Sequence, residues 1–186
     1  MIRFRIEDLP ISGLKRIERQ KHEDTRGFFS RLFCAEELAA AGWSAPIAQI
    51  NQSRTSPKGS IRGLHFQFPP VAEKKLVTCL RGAVWDVAVD LRGDSPTFLQ
   101  WHGLHLTSAN GFALVIPEGF AHGFQVIEPD SELLYLHTAP YTPSAEGGIF
   151  FDDPKLAIKW PLNVTDLSKR DASHPLIDED FQGLSV

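Results

Sequence analysis

The chain has 186 residues, which at about 100–200 residues per domain predicts one domain spanning 1–186. Its 19 Lys and Arg against 23 Asp and Glu leave a net charge of −4, which does not suggest the broad basic face that nucleic acid requires. Hydrophobic residues at 42%, with 14 Gly and 13 Pro, predict an ordinary globular interior built from short elements with many turns.

The opening MIRFRIEDLP alternates charge with apolarity and lacks an apolar core, so it does not read as a signal peptide. No apolar run approaches the ~18 residues of a membrane span, so no membrane partner is expected. Cys34 and Cys79 form no Cys-x-x-Cys pair and read as buried, reduced thiols of a cytoplasmic protein. AEELAAA (35–41), followed by Gly42, predicts a short helix closed by glycine. KLVTCLRG predicts a strand turning at Gly82. AVWDVAVDLR (83–92) alternates so that Trp85, Val87, Val89 and Leu91 share one face, while Asp86, Ala88 and Asp90 line the other with Val84, a strand with one polar side. After the turn signal Gly93-Asp94-Ser95-Pro96 come FLQWHGLHL, FALVIP (112–117), GFQVIE (123–128) and ELLYLHT (132–138). Short strands at such spacing predict an antiparallel sandwich or barrel, and the Pro- and Asp-rich tail from Asp152 is expected to wrap it with a helical turn or two.

Polar residues concentrate where a sheet should be apolar: QINQSRTSPKGSIRGLHFQ (49–67), Lys74-Lys75-Leu76-Val77, PEGFAHGF (117–124), and Tyr135 with Asp171. Gly111, Pro117, Gly119 and His122 satisfy the second cupin motif, G-x5-P-x-G-x2-H. Gly59 and His65 fit the start of the first motif, but Gln67 replaces its second histidine. His102 and His105, three apart on a predicted strand, face opposite sides and cannot share an ion. The ligand set of a metal-dependent cupin is therefore incomplete, and no metal or other cofactor is expected.

The remaining residues resemble the dTDP-4-dehydrorhamnose 3,5-epimerases. The matching stretches are Asp24-Thr25-Arg26-Gly27-Phe28-Phe29, Gln49-x-Asn51-x-Ser53, Arg62-Gly63-Leu64-His65-Phe66-Gln67, Lys75-Leu76-Val77, DVAVDLR (86–92), Ser95-Pro96-Thr97-Phe98, IPEGFAHGF (116–124), Leu134-Tyr135, Trp160-Pro161 and Leu167-Ser168 with Asp171. The resemblance implies a mainly β, cupin-type antiparallel sandwich or jelly-roll barrel with a few short peripheral helices. It also implies a cofactor-independent isomerase acting on a nucleotide-diphosphate 4-keto sugar.

Inversion beside a ketone needs a base on one face of the carbon, an acid on the other, and a group to hold the enolate oxygen. By resemblance these are His65, oriented by Asp171; Tyr135; and Lys75. Arg26, Arg62 and His122 would bind the diphosphate, and Phe28, Gln49 and Asn51 the base and ribose. Arg31 stands where the family carries a glutamate on the nucleotide side. A carboxylate accepts the N3–H of thymine, whereas an arginine only donates, so a CDP-linked sugar is the alternative to a dTDP-linked one. Pro140 before Tyr141 replaces one of the family's paired tyrosines and bears on whether one carbon or both are inverted. A mono-epimerase, a metal-dependent cupin and a non-catalytic sugar-nucleotide binding module are the rival readings. The resemblance further implies a homodimer formed by exchange of N-terminal strands, for which MIRFRI is a fitting edge strand.

Overall fold

The computed structural model describes residues 3–186, so Met1 and Ile2 of the expected edge strand lie outside it. Thirteen strands are described: β1 (Phe4–Asp8), β2 (Lys15–Arg19), β3 (Lys21–Asp24), β4 (Gly27–Ser30), β5 (Gln49–Thr55), β6 (Ile61–Gln67), β7 (Lys75–Arg81), β8 (Ala83–Asp90), β9 (Trp101–Thr107), β10 (Phe112–Ile116), β11 (Phe120–Val126), β12 (Ser131–His137) and β13 (Glu146–Gly148). They form a six-stranded sheet in the order β1-β2-β10-β7-β12-β5 facing a five-stranded sheet β13-β6-β11-β8-β9, with β3-β4 as a separate hairpin. Each pairing is antiparallel.

Three apolar layers hold the sheets. Between them lie Leu14, Val77, Val84, Leu106, Leu114, Phe124 and Leu133. The outer face of the six-stranded sheet presents Ile17, Leu76, Val115 and Leu136 to Leu38 and Trp43. The outer face of the five-stranded sheet presents Leu64, Val87, Val89 and Leu91 to the tail residues Leu156, Ile158 and Leu184. Burial of this area is the main stabilising term, at about 25 cal/mol per Å². Among the described residues, no helix is long and apolar enough to cross a membrane.

The polar side expected of β8 does not face water. Asp86 and Asp90 are fully buried, because their side of the strand, shared with Val84 and Ala88, faces the core between the two sheets. Both carboxylates are satisfied internally, Asp86 by His122 and Asp90 by Arg92, Ser95 and Thr97. The single helix expected over 35–41 is one α-helical turn, α1 (Ala35–Leu38), followed by a 3₁₀ turn, Ala39–Ala41. Its N-cap, Cys34, offers no side-chain hydrogen bond, so packing of Leu38 and Ala41 beside Trp43 holds it instead of capping. Gly42 ends it at φ +81°, as its position suggested. The strand read into FLQWHGLHL begins only at Trp101, since Leu99 (φ 59°) lies in a turn closed by the Gln100 N–H donating to the Thr97 carbonyl.

A bulge sets up the site. Between β6 and β11, His65 pairs with His122 but Arg62 pairs with Phe124, three steps on one strand against two on the other. Side chains three apart should face opposite ways, and this shift is what lets Arg62 and His65 line one cavity. Gly63 absorbs the shift at φ +121°, where an added Cβ would lie 2.6 Å from the Gly123 Cα and 2.8 Å from the His122 carbonyl oxygen. Gly63→Ala should therefore lower stability by about 1–3 kcal/mol in denaturant unfolding, and unchanged stability would contradict this account of the bulge.

Candidate active site

A cavity of about 410 Å³ opens between the sheets. Asn51 and Ser53 (β5), Lys75 (β7), and Tyr135 and His137 (β12) line it from the six-stranded sheet. Arg62, His65 and Gln67 (β6) with His122 and Phe124 (β11) line it from the other. Alternation explains the pairs 51/53, 65/67, 122/124 and 135/137, each two residues apart on one face of a strand.

Asp171 reaches this site from the far end of the sequence. It lies on α2 (Lys169–Ala172), whose N-cap Ser168 accepts the Asp171 amide N–H through its side chain at 3.0 Å. A parallel bridge between Ile61 and Leu167 docks the tail beside β6. The Asp171 carboxylate then accepts from His65 Nε2 at 2.8 Å and from the Gly63 amide at 3.4 Å. Burial alone would raise the Asp171 carboxyl, but these hydrogen bonds and the nearby His65 outweigh it and hold it below its ordinary value. A carboxylate only accepts, so Nε2 of His65 carries the proton and Nδ1 keeps a lone pair.

Across the cavity, the Tyr135 hydroxyl shares a 2.9 Å hydrogen bond with Ser53 Oγ. Burial pushes the phenol well above its ordinary value, so it stays protonated at neutral pH. Lys75 is buried, its Nζ 3.0 Å from Glu73 Oε1 and donating to the His65 carbonyl at 3.4 Å. Lys74 points the other way, donating to the Gly42 carbonyl. Arg62 Nε donates to Thr55 Oγ1 at 2.8 Å, and its guanidinium lines the cavity. His122 is less free than a simple phosphate ligand would be, with its Nε2 3.0 and 2.9 Å from the two Asp86 oxygens.

The remaining expected residues are not all in this cavity. Asn51 lines it, while Gln49 lies in a small adjoining pocket, donating to Asn51 Oδ1 at 3.1 Å and accepting from the Tyr141 amide at 2.9 Å. Arg26 and Phe28 sit on the β3–β4 hairpin, exposed by 88% at the side chain and 61% respectively, and Arg26 pairs with Asp24. Arg31 pairs with Glu37 of α1. None of these three lines the cavity of its own chain.

Glu73 and His137 were missed by sequence reasoning. Glu73 has a local signal, a carboxylate two residues before Lys75 and so near it on the same side. His137 has one too, standing two residues after Tyr135 on the same strand face. Its ring stacks beside Tyr135, centroids 6.3 Å apart. Burial first, then the charge of Lys75, lowers His137 to about 4. In the unfolded chain it would bind a proton near pH 6.5. The unfolded state therefore takes up protons first as pH falls, and stability declines between about 6.5 and 4. His137→Gln should lose less thermal stability than the parent between pH 7 and pH 5, and an equal loss would contradict this assignment.

A family model described as dTDP-4-dehydrorhamnose 3,5-epimerase matches residues 8–179. The dTDP-4-dehydrorhamnose 3,5-epimerase of Salmonella typhimurium is 46% identical over 160 residues, 84% of this chain and 86% of that protein. A dTDP-4-dehydrorhamnose 3-epimerase from Streptomyces niveus is 40% identical over 177 residues, 95% of this chain and 85% of that one. The crystal structure of a dTDP-6-deoxy-D-glucose-3,5-epimerase from Legionella pneumophila, in complex with dTDP-4-keto-L-rhamnose, superposes with a TM-score of 0.91. It is 40% identical, covering 98% of this chain and 99% of that one. Sequence and fold thus agree, and the chain belongs to the dTDP-4-dehydrorhamnose 3,5-epimerase family.

Proposed function

We propose that residues 1–186 act as one epimerase domain that inverts carbons 3 and 5 of a dTDP-linked 4-keto-6-deoxyhexose. The observation that carries this reading is that a histidine oriented by a buried carboxylate and a protonated tyrosine line one cavity from opposite sheets.

His65 Nδ1 takes the proton beside the ketone, and Asp171, already holding the Nε2–H, stabilises the imidazolium that results. Electrons from the broken C–H bond move onto the ketone oxygen, where Lys75 Nζ meets the developing negative charge. Glu73 pairs with that ammonium and holds it in place between turnovers. Tyr135 returns a proton to the opposite face, and its phenolate is met by the Arg62 charge and the Ser53 hydroxyl. No cofactor is required, because base, acid and charge-holding groups are all side chains of this chain.

Arg62 is the nearest free guanidinium for the diphosphate. Arg26 and Phe28 meet a nucleotide only if a second copy presents its β3–β4 hairpin at this cavity, which supports a homodimer. The free Cys34 and Cys79 fit a reducing cytoplasm. A second reading, inversion of carbon 3 alone, is favoured by Pro140 and by the similarity to the S. niveus 3-epimerase. Engagement of Arg31 with Glu37 removes the reason to prefer cytosine, so dTDP is the nucleotide assigned.

Incubation with the dTDP-4-keto sugar in heavy water tests the assignment and counts the inverted carbons. Deuterium is expected at both carbons 3 and 5; label at carbon 3 alone would select the second reading. His65→Ala should cut incorporation by about 10²–10⁴-fold, and Lys75→Ala by roughly 10²–10³-fold with residual turnover. Tyr135→Phe should keep exchange on the His65 face while losing net inversion. Substantial exchange in His65→Ala would overturn the mechanism. Calorimetry should find dTDP bound more tightly than CDP, and equal affinities would remove the nucleotide assignment.

A further inference from the structure

The Asp171 carboxylate faces two imidazoles. His65 Nε2 lies 2.8 Å from its Oδ1, and His174 Nε2 lies 3.6 Å from the same oxygen. One ligand atom from each of the three residues lies within 4.8 Å of the others, and they form the one such group among the described residues. His174 Nε2 is buried and has no hydrogen-bond partner, an orphaned lone pair or N–H that folding should not leave unused. Its ring is wedged as well as buried. It stands edge-on to His65, centroids 5.3 Å apart, and against Gly148, where even a Cβ would lie 2.3 Å from the ring.

We propose that His65, Asp171 and His174 form a divalent transition-metal site, and that Zn²⁺ bound there switches the dyad off. This is not the cupin ligand set, which Gln67 breaks. Two imidazole nitrogens and one carboxylate oxygen are a familiar zinc donor set with a position left open. At bond lengths of about 2.0–2.2 Å, neighbouring ligands of a tetrahedral zinc lie about 3.4 Å apart, between the 2.8 and 3.6 Å histidine–carboxylate separations, with every ligand pair already within 4.8 Å. Access comes from a cavity of about 400 Å³ whose walls include His65, Ser168, Arg170 and Asp171.

One group opposes the metal. Arg170 Nη2 lies 3.2 Å from His65 Nε2 and its Nε lies 3.7 Å from Asp171 Oδ1, so a guanidinium stands where the cation would sit. Its side chain is half-exposed and paired with Glu146, so it can swing outward. Arg170 thereby sets a modest affinity and guards the dyad.

The inhibition follows from the tautomer. Zn²⁺ takes the Nε2 lone pair of His65 and displaces the Nε2 proton to water, and one proton from water settles on Nδ1. The neutral ring then carries N–H on the atom that must accept the substrate proton, so the base is blocked with no change in its net charge.

The test uses the full chain after chelator treatment. Co²⁺ is followed by its visible absorption, Zn²⁺ by competition with a chromophoric chelator, and deuterium wash-in is measured in parallel. One metal per chain is expected, with wash-in falling as the site fills and returning on addition of EDTA. His174→Ala, and His174→Phe, which keeps the ring's bulk beside Gly148, should keep metal-free activity. Both should bind metal at least about 10-fold more weakly, while Arg170→Ala should bind it more tightly. Absence of binding up to about 1 mM metal, binding without inhibition, or unchanged affinity in both His174 variants would overturn the proposal. The inhibition arm rests on His65 being the base; the cobalt and zinc binding arms do not, so failure of the epimerase reading is seen separately.

Discussion

The hydrogen bond between His65 and Asp171 is the constraint on which the site depends. It joins residues 106 apart in sequence, and the tail must return to the barrel for it to form. The same return covers the outer face of the five-stranded sheet with Leu156, Ile158 and Leu184, so the apolar packing that stabilises the fold also delivers the carboxylate. In the proposed mechanism, fixing the His65 proton on Nε2 is what leaves Nδ1 able to act. Folding and chemistry are coupled through one contact.

The two sheets divide the labour. The five-stranded sheet carries His65, the proposed base, and Arg62, brought onto one side by the Gly63 bulge. The six-stranded sheet carries Tyr135 and Lys75, held by Ser53 and Glu73. A planar enolate between them would meet a base on one face and an acid on the other, and no group would have to cross the ring. Rigidity serves this arrangement, because each group sits on a strand with buried neighbours instead of on a mobile loop.

Most of the fold was legible because strands here are punctuated by Gly, Pro, Asn and Asp, and alternate cleanly within. His65, Tyr135, Lys75 and Asp171 were picked out through the family resemblance, and the fold places the first three on one cavity with Asp171 behind His65. Other features depend on pairings that sequence spacing does not record. The polar face of β8 is buried because it looks into the interior between the two sheets. His174 matters only because α2 docks beside β6. The resemblance implied Arg26 and Phe28 as binding residues, yet the fold holds them on an exposed hairpin away from the cavity of their own chain.

The most direct test of the central claim is a crystal structure with an unreactive dTDP-hexose analogue bound. The account predicts His65 Nδ1 and the Tyr135 hydroxyl on opposite faces of the sugar ring, each within about 3–3.5 Å of carbon 3 or carbon 5. Both groups on the same face, or a sugar bound beyond reach of either, would contradict it.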